Sequence, residues 1–534
     1  MSKRNFIFYI LAAACLILAG CGRTRPAPSP AVTPAAGRDT TIPSPALPTA
    51  AAPSTPFSTG TARLPQPQVI QTAWDNRTVF QPGLIPAARG VLSALPGASV
   101  YHIAVAIAPN LASLSGQEEV LYTNRETTAL NSVHFRLFPN LLGGEMTVSN
   151  VMLNGQAGRT SLSAANSDLA VALPAPLAPG GQAVVRMSFA DRVPPGHPEG
   201  YNTFVVADGI LALAQYYPLI PVYDEKGWHT EIPPDYGDVT YTDASFYLVQ
   251  ISCPADLVVA ASGSVVKQAK EGDRQVILTE AGPVRDDYIS ASRDASVSSA
   301  EVGQTLISTY APGRLAAAAP DTLRIAEASF ASFNRRFGVY PYTRFNVTAS
   351  PTQALGIEYP QEVAIAEQLY DPAQPSGSTP ARVILEATLA HEISHQWWYG
   401  LVGDDQVNQP WLDEAMAQYS TYIYYLDNGG TAAAQSYRSD WQRRWDLVND
   451  QPIPIGQPVA AYDAASYSAI VYGRGPLFIA ALAERMGEAS FDRFLRDYFQ
   501  KYEWGISTTA GYEALAAGDC GCDLKPLFQE WVGP

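Results

Sequence analysis

The sequence predicts an α+β, multidomain chain, with an antiparallel β-rich part over residues 97–303 and a mainly helical part over 304–534. Three observations carry this. Short alternating or wholly apolar runs recur before residue 300, separated by turns rich in Gly, Pro, Asn and Asp, as antiparallel strands require. Near residues 300–310 the pattern changes, and TLRIAEASFASFNRRFG spaces its apolar residues at the helical period. The 534 residues are 47% hydrophobic and include 28 tyrosines, which is enough for two substantial cores.

In chain order, Lys3 and Arg4 precede an apolar stretch from Phe6 to Leu18, the layout of a secretory leader over residues 1–20. That stretch is too short for a confident membrane span. LAGC, Leu18 to Cys21, resembles a bacterial lipobox, so Cys21 is the expected lipid-anchor residue and the protein is expected to be extracytoplasmic and held to a cell membrane. Residues 21–66 are dominated by Pro, Ala, Thr and Ser and have too few large apolar residues for a core, so they read as a tether. A lead-in segment, 67–96, connects the tether to the strands.

YHIAVAIAP, SVHFRLFP, AVVRMSF, SFYLVQISCP and QVILTEA are the principal strand candidates. His102, His134, His197 and His229 lie among them without metal-ligand spacing and read as structural or surface residues. GWHTEIPPDYGD, residues 227–238, is an aromatic and acidic loop, either a border of a cleft or a long surface connection. In the second half, the aromatic stripe around Trp441, Trp445 and Tyr462 reads as core, and FDRFLRDYFQKYEWG and DLKPLFQEWV read as closing helices.

Net charge of −16 argues against nucleic acid or an anionic lipid surface as a partner. Of five cysteines, Cys15 falls in the leader and Cys21 at the anchor. Cys253, Cys520 and Cys522 remain, an odd number without a CxxC pair, so unpaired thiols are expected.

The chemistry concentrates in HEISHQWWYGLVGDDQVNQPWLDEAMAQY, residues 391–419. His391 and His395 are four residues apart, so on a helix they share one face and close on a single ion. Val383, Ile384, Leu385 and Leu389 supply an apolar helix before them, with Thr379 as its expected cap and Pro380 at its first position. A hydrolytic zinc site takes three protein ligands and keeps a fourth position for water. Glu414 is the candidate third ligand, on a second helix starting near Pro410, and the 18 residues between His395 and Glu414 allow a turn through Gly403, Asp404 and Asp405. Glu392 is placed as the base. Zinc lowers the pKa of a water from 15.7 toward roughly 7, and a neighbouring carboxylate then takes its proton and delivers it to the leaving amine.

HEISH, followed after 18 residues by Glu414 within WLDEAMAQY, resembles the gluzincin metallopeptidases of the aminopeptidase N and leukotriene hydrolase family. ALGIEYP, residues 354–360, is similar to that family's GxMEN motif, which implies that Glu358 binds the substrate's free amino terminus and that the backbone at Gly356 lines the first substrate pocket. SYSAIVYGRG resembles the family's tyrosine segment, which implies that Tyr472 stabilises the transition state and that Tyr467 stands beside the site. Departures are visible: Leu355 replaces the usual glycine, Tyr359 the usual asparagine, Asp413 an asparagine and Arg474 a lysine. The resemblance implies a saddle- or sandwich-like β domain, a thermolysin-like catalytic domain, one Zn²⁺, peptide substrates and release of N-terminal residues. Membrane attachment is expected only through Cys21, with no nucleic-acid partner, and the protein is expected to be a monomer. An endopeptidase, another zinc hydrolase, or a catalytically silent peptide-binding lipoprotein are the other readings.

Overall fold

The alternating runs of the first half form strands that bury every second residue, as in Ser113–Thr123 and Gln182–Arg192, which pair antiparallel with Glu118 opposite Met187. This is seen in a computed structural model that describes residues 70–198, 201, 203–371 and 379–533. The leader, Cys15, Cys21 and the whole tether, residues 21–66, fall outside the described residues. Val100–Ile107 is buried on both faces, consistent with its nearly continuous apolar sequence and a central place in an eight-stranded sheet. There the expectation of a purely antiparallel sheet is corrected, because Val100–Ile107 pairs parallel with Ser245–Pro254. Tyr101 stacks on Tyr247 across that pair at 4.7 Å and meets Tyr217 edge-on.

The sheet of the second half begins before residue 304. The hairpin Ala295–Val302 and Thr305–Pro312 leads into Arg344–Ser350 and Glu362–Ala366, both added in parallel, and Gly356–Tyr359 closes the edge antiparallel. Around it stand α1 (Ala319–Arg336), α2 (Ala381–Ser394), α3 (Trp411–Asp446), α4 (Gly475–Met486), α5 (Glu488–Tyr502), α6 (Thr509–Cys520) and α7 (Lys525–Trp531). Helix α2 has no internal glycine or proline and is apolar nearly all round, so from Thr388 to Ser394 every residue is buried. Thr379 is not its cap and Pro380 is not its first residue. Pro380 occupies the N-cap with extended backbone and the cap makes no side-chain hydrogen bond. Helix α3 is broken at Gly430, whose φ of 73° is cheap only for glycine.

Arg285 fastens the two halves. Its buried guanidinium donates to the carbonyls of Tyr399 at 2.6 Å, Thr242 at 2.9 Å and Leu401 at 3.3 Å, and to that of Gly505. A Cβ on Gly403 would fall 2.0 Å from the guanidinium carbon, so glycine is required at this crossing. Cys520 and Cys522, expected as free thiols, form a disulfide. Gly521 ends α6 in the left-handed conformation and folds the chain back, bringing the two Cα atoms to 5.2 Å. Cys253 is free and buried.

Candidate metal centre and amine-binding cleft

Helix α2 ends at the metal ligands. His391 lies in its last turn and His395 is its C-cap, so the spacer to Glu414 is turn and loop from Gln396 onward rather than further helix. Helix α3 then starts with Pro410 as N-cap and presents Glu414 in its first turn, pointed back at the histidines. His391 Nε2 lies 3.1 Å from Glu414 Oε2 and 3.2 Å from His395 Nε2, and His395 Nε2 lies 3.6 Å from the same carboxylate oxygen. A tetrahedral ion with bonds near 2.0–2.1 Å separates its ligands by about 3.4 Å, so this triangle has the right size for zinc. Two imidazole nitrogens facing each other at 3.2 Å are also explained by a shared cation, since each brings a lone pair to the same point. His395 Nδ1 is held by the carbonyl of Trp398 at 3.1 Å, which fixes the ring and leaves Nε2 for the metal.

All three ligands are buried, and their ionisation reflects it. Burial opposes charge on Glu414, but hydrogen bonds from His391 and His395 outweigh it and hold the carboxyl below its usual range. Burial lowers His391. At His395 burial is outweighed by Glu358 and Glu414, which raise it.

Glu392, one residue on from the first ligand, comes within 4.8 Å of both His395 and Glu358. Burial, before any other cause, pushes its carboxyl well up. The edge strand Gly356–Tyr359 runs directly against it, and a Cβ at Gly356 would lie 2.5 Å from Glu392 Cγ and 2.6 Å from its Oε1. Only glycine lets the backbone and Glu392 come this close. Glu358 is 5% exposed, a buried strand residue rather than a solvated loop glutamate.

Tyr472 lies in a π-helical segment, Ile470–Arg474, a distortion common at functional sites, and its hydroxyl donates to Glu414 Oε1. Tyr467 packs edge-on to Tyr472 at 5.8 Å.

The departures from the motif find their places. The Tyr359 ring stacks on Tyr288 at 4.0 Å and shares a hydrogen bond with Thr203, away from the His-His-Glu cluster. Arg474 also leaves the site, donating to the carbonyls of Ile453, Glu530 and Trp531 to pin the end of α7. Asp413 is buried and takes the backbone N–H of Glu414 at 2.6 Å.

Four further residues reach the site. Tyr201 hydrogen-bonds Tyr472, and nothing in its sequence neighbourhood marks it. Asp238 closes the 227–238 loop, so that loop does border the cleft. Burial, then Glu358, Glu414 and Asp413, push the Asp238 carboxyl up. The loop is seated by Tyr236, whose hydroxyl donates to the carbonyl of Tyr462 at 2.6 Å, and by Gly237 against Tyr467. Thr240 and Gln406 complete the set, joined by a 2.9 Å hydrogen bond. Of the histidines read as structural, His134 pairs with Asp168, His102 stacks on Trp74, and His229 is held between Asp224 and Glu231.

A β-rich half and a helical half thus enclose a His-His-Glu cluster with Glu392 beside it, the donor set of a zinc centre. Residues 322–531 match the model of the Peptidase family M1 domain. The chain is similar to "Aminopeptidase M1-B" of Oryza sativa subsp. japonica, 23% identical over 310 residues, 54% of this chain and 34% of the relative. It is also similar to "Aminopeptidase N" of Streptomyces lividans, 22% identical over 218 residues, 39% of this chain and 25% of the relative. The chain thus spans about a third or less of the length of these curated relatives. Crystal structures of an M1 zinc metallopeptidase from Deinococcus radiodurans, one bound to a Tyr-Ser-Ala substrate, share the fold at a TM-score of 0.61. Each covers 82% of this chain and 95% of its own, with 20% and 21% identity.

Proposed function

We propose that this protein is a zinc aminopeptidase that releases N-terminal residues from peptides. The observation that carries the reading is the convergence of His391, His395 and Glu414 on one point, with Glu392 and Glu358 beside it. His391, His395 and Glu414 would hold a zinc ion, which would supply a Lewis acid able to activate water. Glu392 accepts the proton of the attacking water and returns it to the leaving amine, a shuttle suited to a carboxyl whose affinity for protons burial has raised. The Tyr472 hydroxyl is the donor available to negative charge growing on the scissile carbonyl oxygen. Glu358, a buried carboxylate, binds the free α-ammonium, which makes the cleavage terminal.

Cleavage profiling of a mixed peptide library by the form lacking residues 1–66 tests this. Loss of single N-terminal residues, abolished by Glu392→Gln and weakened by Glu358→Ala, is expected. Internal cuts insensitive to Glu358→Ala would make it an endopeptidase, and bound zinc without cuts would leave another substrate or a binding role. Export and lipid attachment through Cys21 complete the proposal, supported by Lys3, Arg4 and the LAGC segment. Detergent-phase partition of the full chain, lost in Cys21→Ser, is the expected result.

A further inference from the structure

Gln406 lies in the loop between the metal-bearing helices and is 1% exposed. Its side-chain amide has two N–H donors and one carbonyl acceptor. The nitrogen donates to Glu358 Oε1 at 2.8 Å and to Asp413 Oδ2 at 2.8 Å, while the carbonyl accepts the hydroxyl of Thr240 at 2.9 Å. Turning the amide over would aim its oxygen at two carboxylates, so the orientation is dictated by its surroundings. Thr240 comes from the β-rich half, is itself buried, and holds the far side of the amide.

From this geometry we infer that Gln406, braced by Thr240, is a positioning residue that sets the Glu358 carboxylate for the substrate's α-ammonium. The inference rests on the reading that Glu358 is the amine anchor. Two physical points favour a neutral amide at this place. It occupies one side of Glu358 Oε1 and leaves the other oxygen to the incoming cation, so the carboxylate is oriented before substrate arrives. A lysine or arginine would orient it equally well but would neutralise it and compete with the substrate, whereas the amide preserves its charge. The same nitrogen bridges Glu358 to Asp413, whose other oxygen caps the backbone N–H of Glu414. Anchor and metal helix are thereby held in one hydrogen-bonded frame that spans both halves of the molecule.

The test uses a pair of zinc-directed probes that differ only in the amine, leucine hydroxamate and 4-methylpentanoic hydroxamate. They are titrated into the zinc-loaded protein and its Gln406→Met, Thr240→Val and Glu358→Ala variants, with zinc content measured for each. In Gln406→Met the preference for the amine-bearing probe should fall by about tenfold, the scale of a lost hydrogen bond to a charged group. Affinity for the probe without an amine should stay within about twofold, too small a change to signal loss of the metal site. Thr240→Val should move the preference the same way by less, since it frees the amide without removing it. A preference unchanged in Gln406→Met, or parallel weakening of both probes, overturns the positioning role. A wild type that binds the two probes equally, with Glu358→Ala no different, overturns instead the reading of Glu358 on which this inference rests.

Discussion

In the proposed reaction Glu392 handles protons and Tyr472 handles charge. Glu392→Gln keeps the shape but removes the proton acceptor, so kcat should drop by roughly 10²–10⁴ while one zinc per chain is retained. Zinc analysis beside steady-state kinetics separates this from His391→Ala, which should lose the metal. Tyr472→Phe removes a donor that matters only as negative charge develops, so kcat should fall by roughly 10²–10³ with little change in KM. An equal rise in KM would mean that Tyr472 binds substrate in the ground state. Both residues were identifiable from spacing and motif. Gln406 and Tyr201 were not, because a lone Gln or Tyr carries no periodic or charge signature and acquires its role only from neighbours distant in sequence, Glu358 and Tyr472.

Among the elements, the edge strand Gly356–Tyr359 is tightly constrained at the site. It lies so close to the end of α2 that the position of a single Cβ decides whether the base fits. Gly356→Ala should displace Glu392 or push the strand outward. Activity should fall by about 10²-fold, the typical penalty for a misplacement near 1 Å. Zinc should stay bound, since its ligands come from α2 and α3. Stoichiometric zinc with normal turnover would show that the strand yields at no cost. The helices were legible because α2 and α5 carry long runs free of breakers. The end of α2 at Ser394 and the Cys520–Cys522 bridge were not, since both depend on where the chain turns next rather than on the residues of the element.

For the whole molecule, Arg285 and Glu280 govern stability in different ways. Arg285→Met would remove the guanidinium from four carbonyls, of which those of Leu401 and Gly505 keep a backbone N–H, and should cost about 2–5 kcal/mol, read as a lower thermal midpoint. Glu280 lies in the eight-stranded sheet, where burial, opposed only in part by the Gly83 backbone, lifts its carboxyl from 4.5 to about 9. The folded protein therefore keeps this proton through a pH range in which the unfolded chain has released it. Stability should decline as pH rises from 4.5 toward about 9, by about 1.4 kcal/mol per pH unit for one fully retained proton. Glu280→Gln should remove that share of the slope, measured by denaturant unfolding across the range. An unchanged slope would assign the pH dependence to other buried acids, such as Asp286 and Asp287.

The division into a β-rich and a helical half is legible in local pattern, as is the selection of His391, His395, Glu414, Glu392 and Glu358, which the structure brings together. These rest on short-range regularities: alternation in strands, the four-residue repeat that aligns His391 and His395, and motifs a few residues long. Tertiary structure alone decided that strand Val100–Ile107 pairs parallel with a strand well over a hundred residues later, and that Tyr359 and Arg474 make their contacts away from the His-His-Glu cluster. It alone brought Asp238, Thr240 and Tyr201 from the first half into a cleft built by the second. Contacts of that kind depend on which surfaces the two cores bring together, and no local pattern encodes the choice.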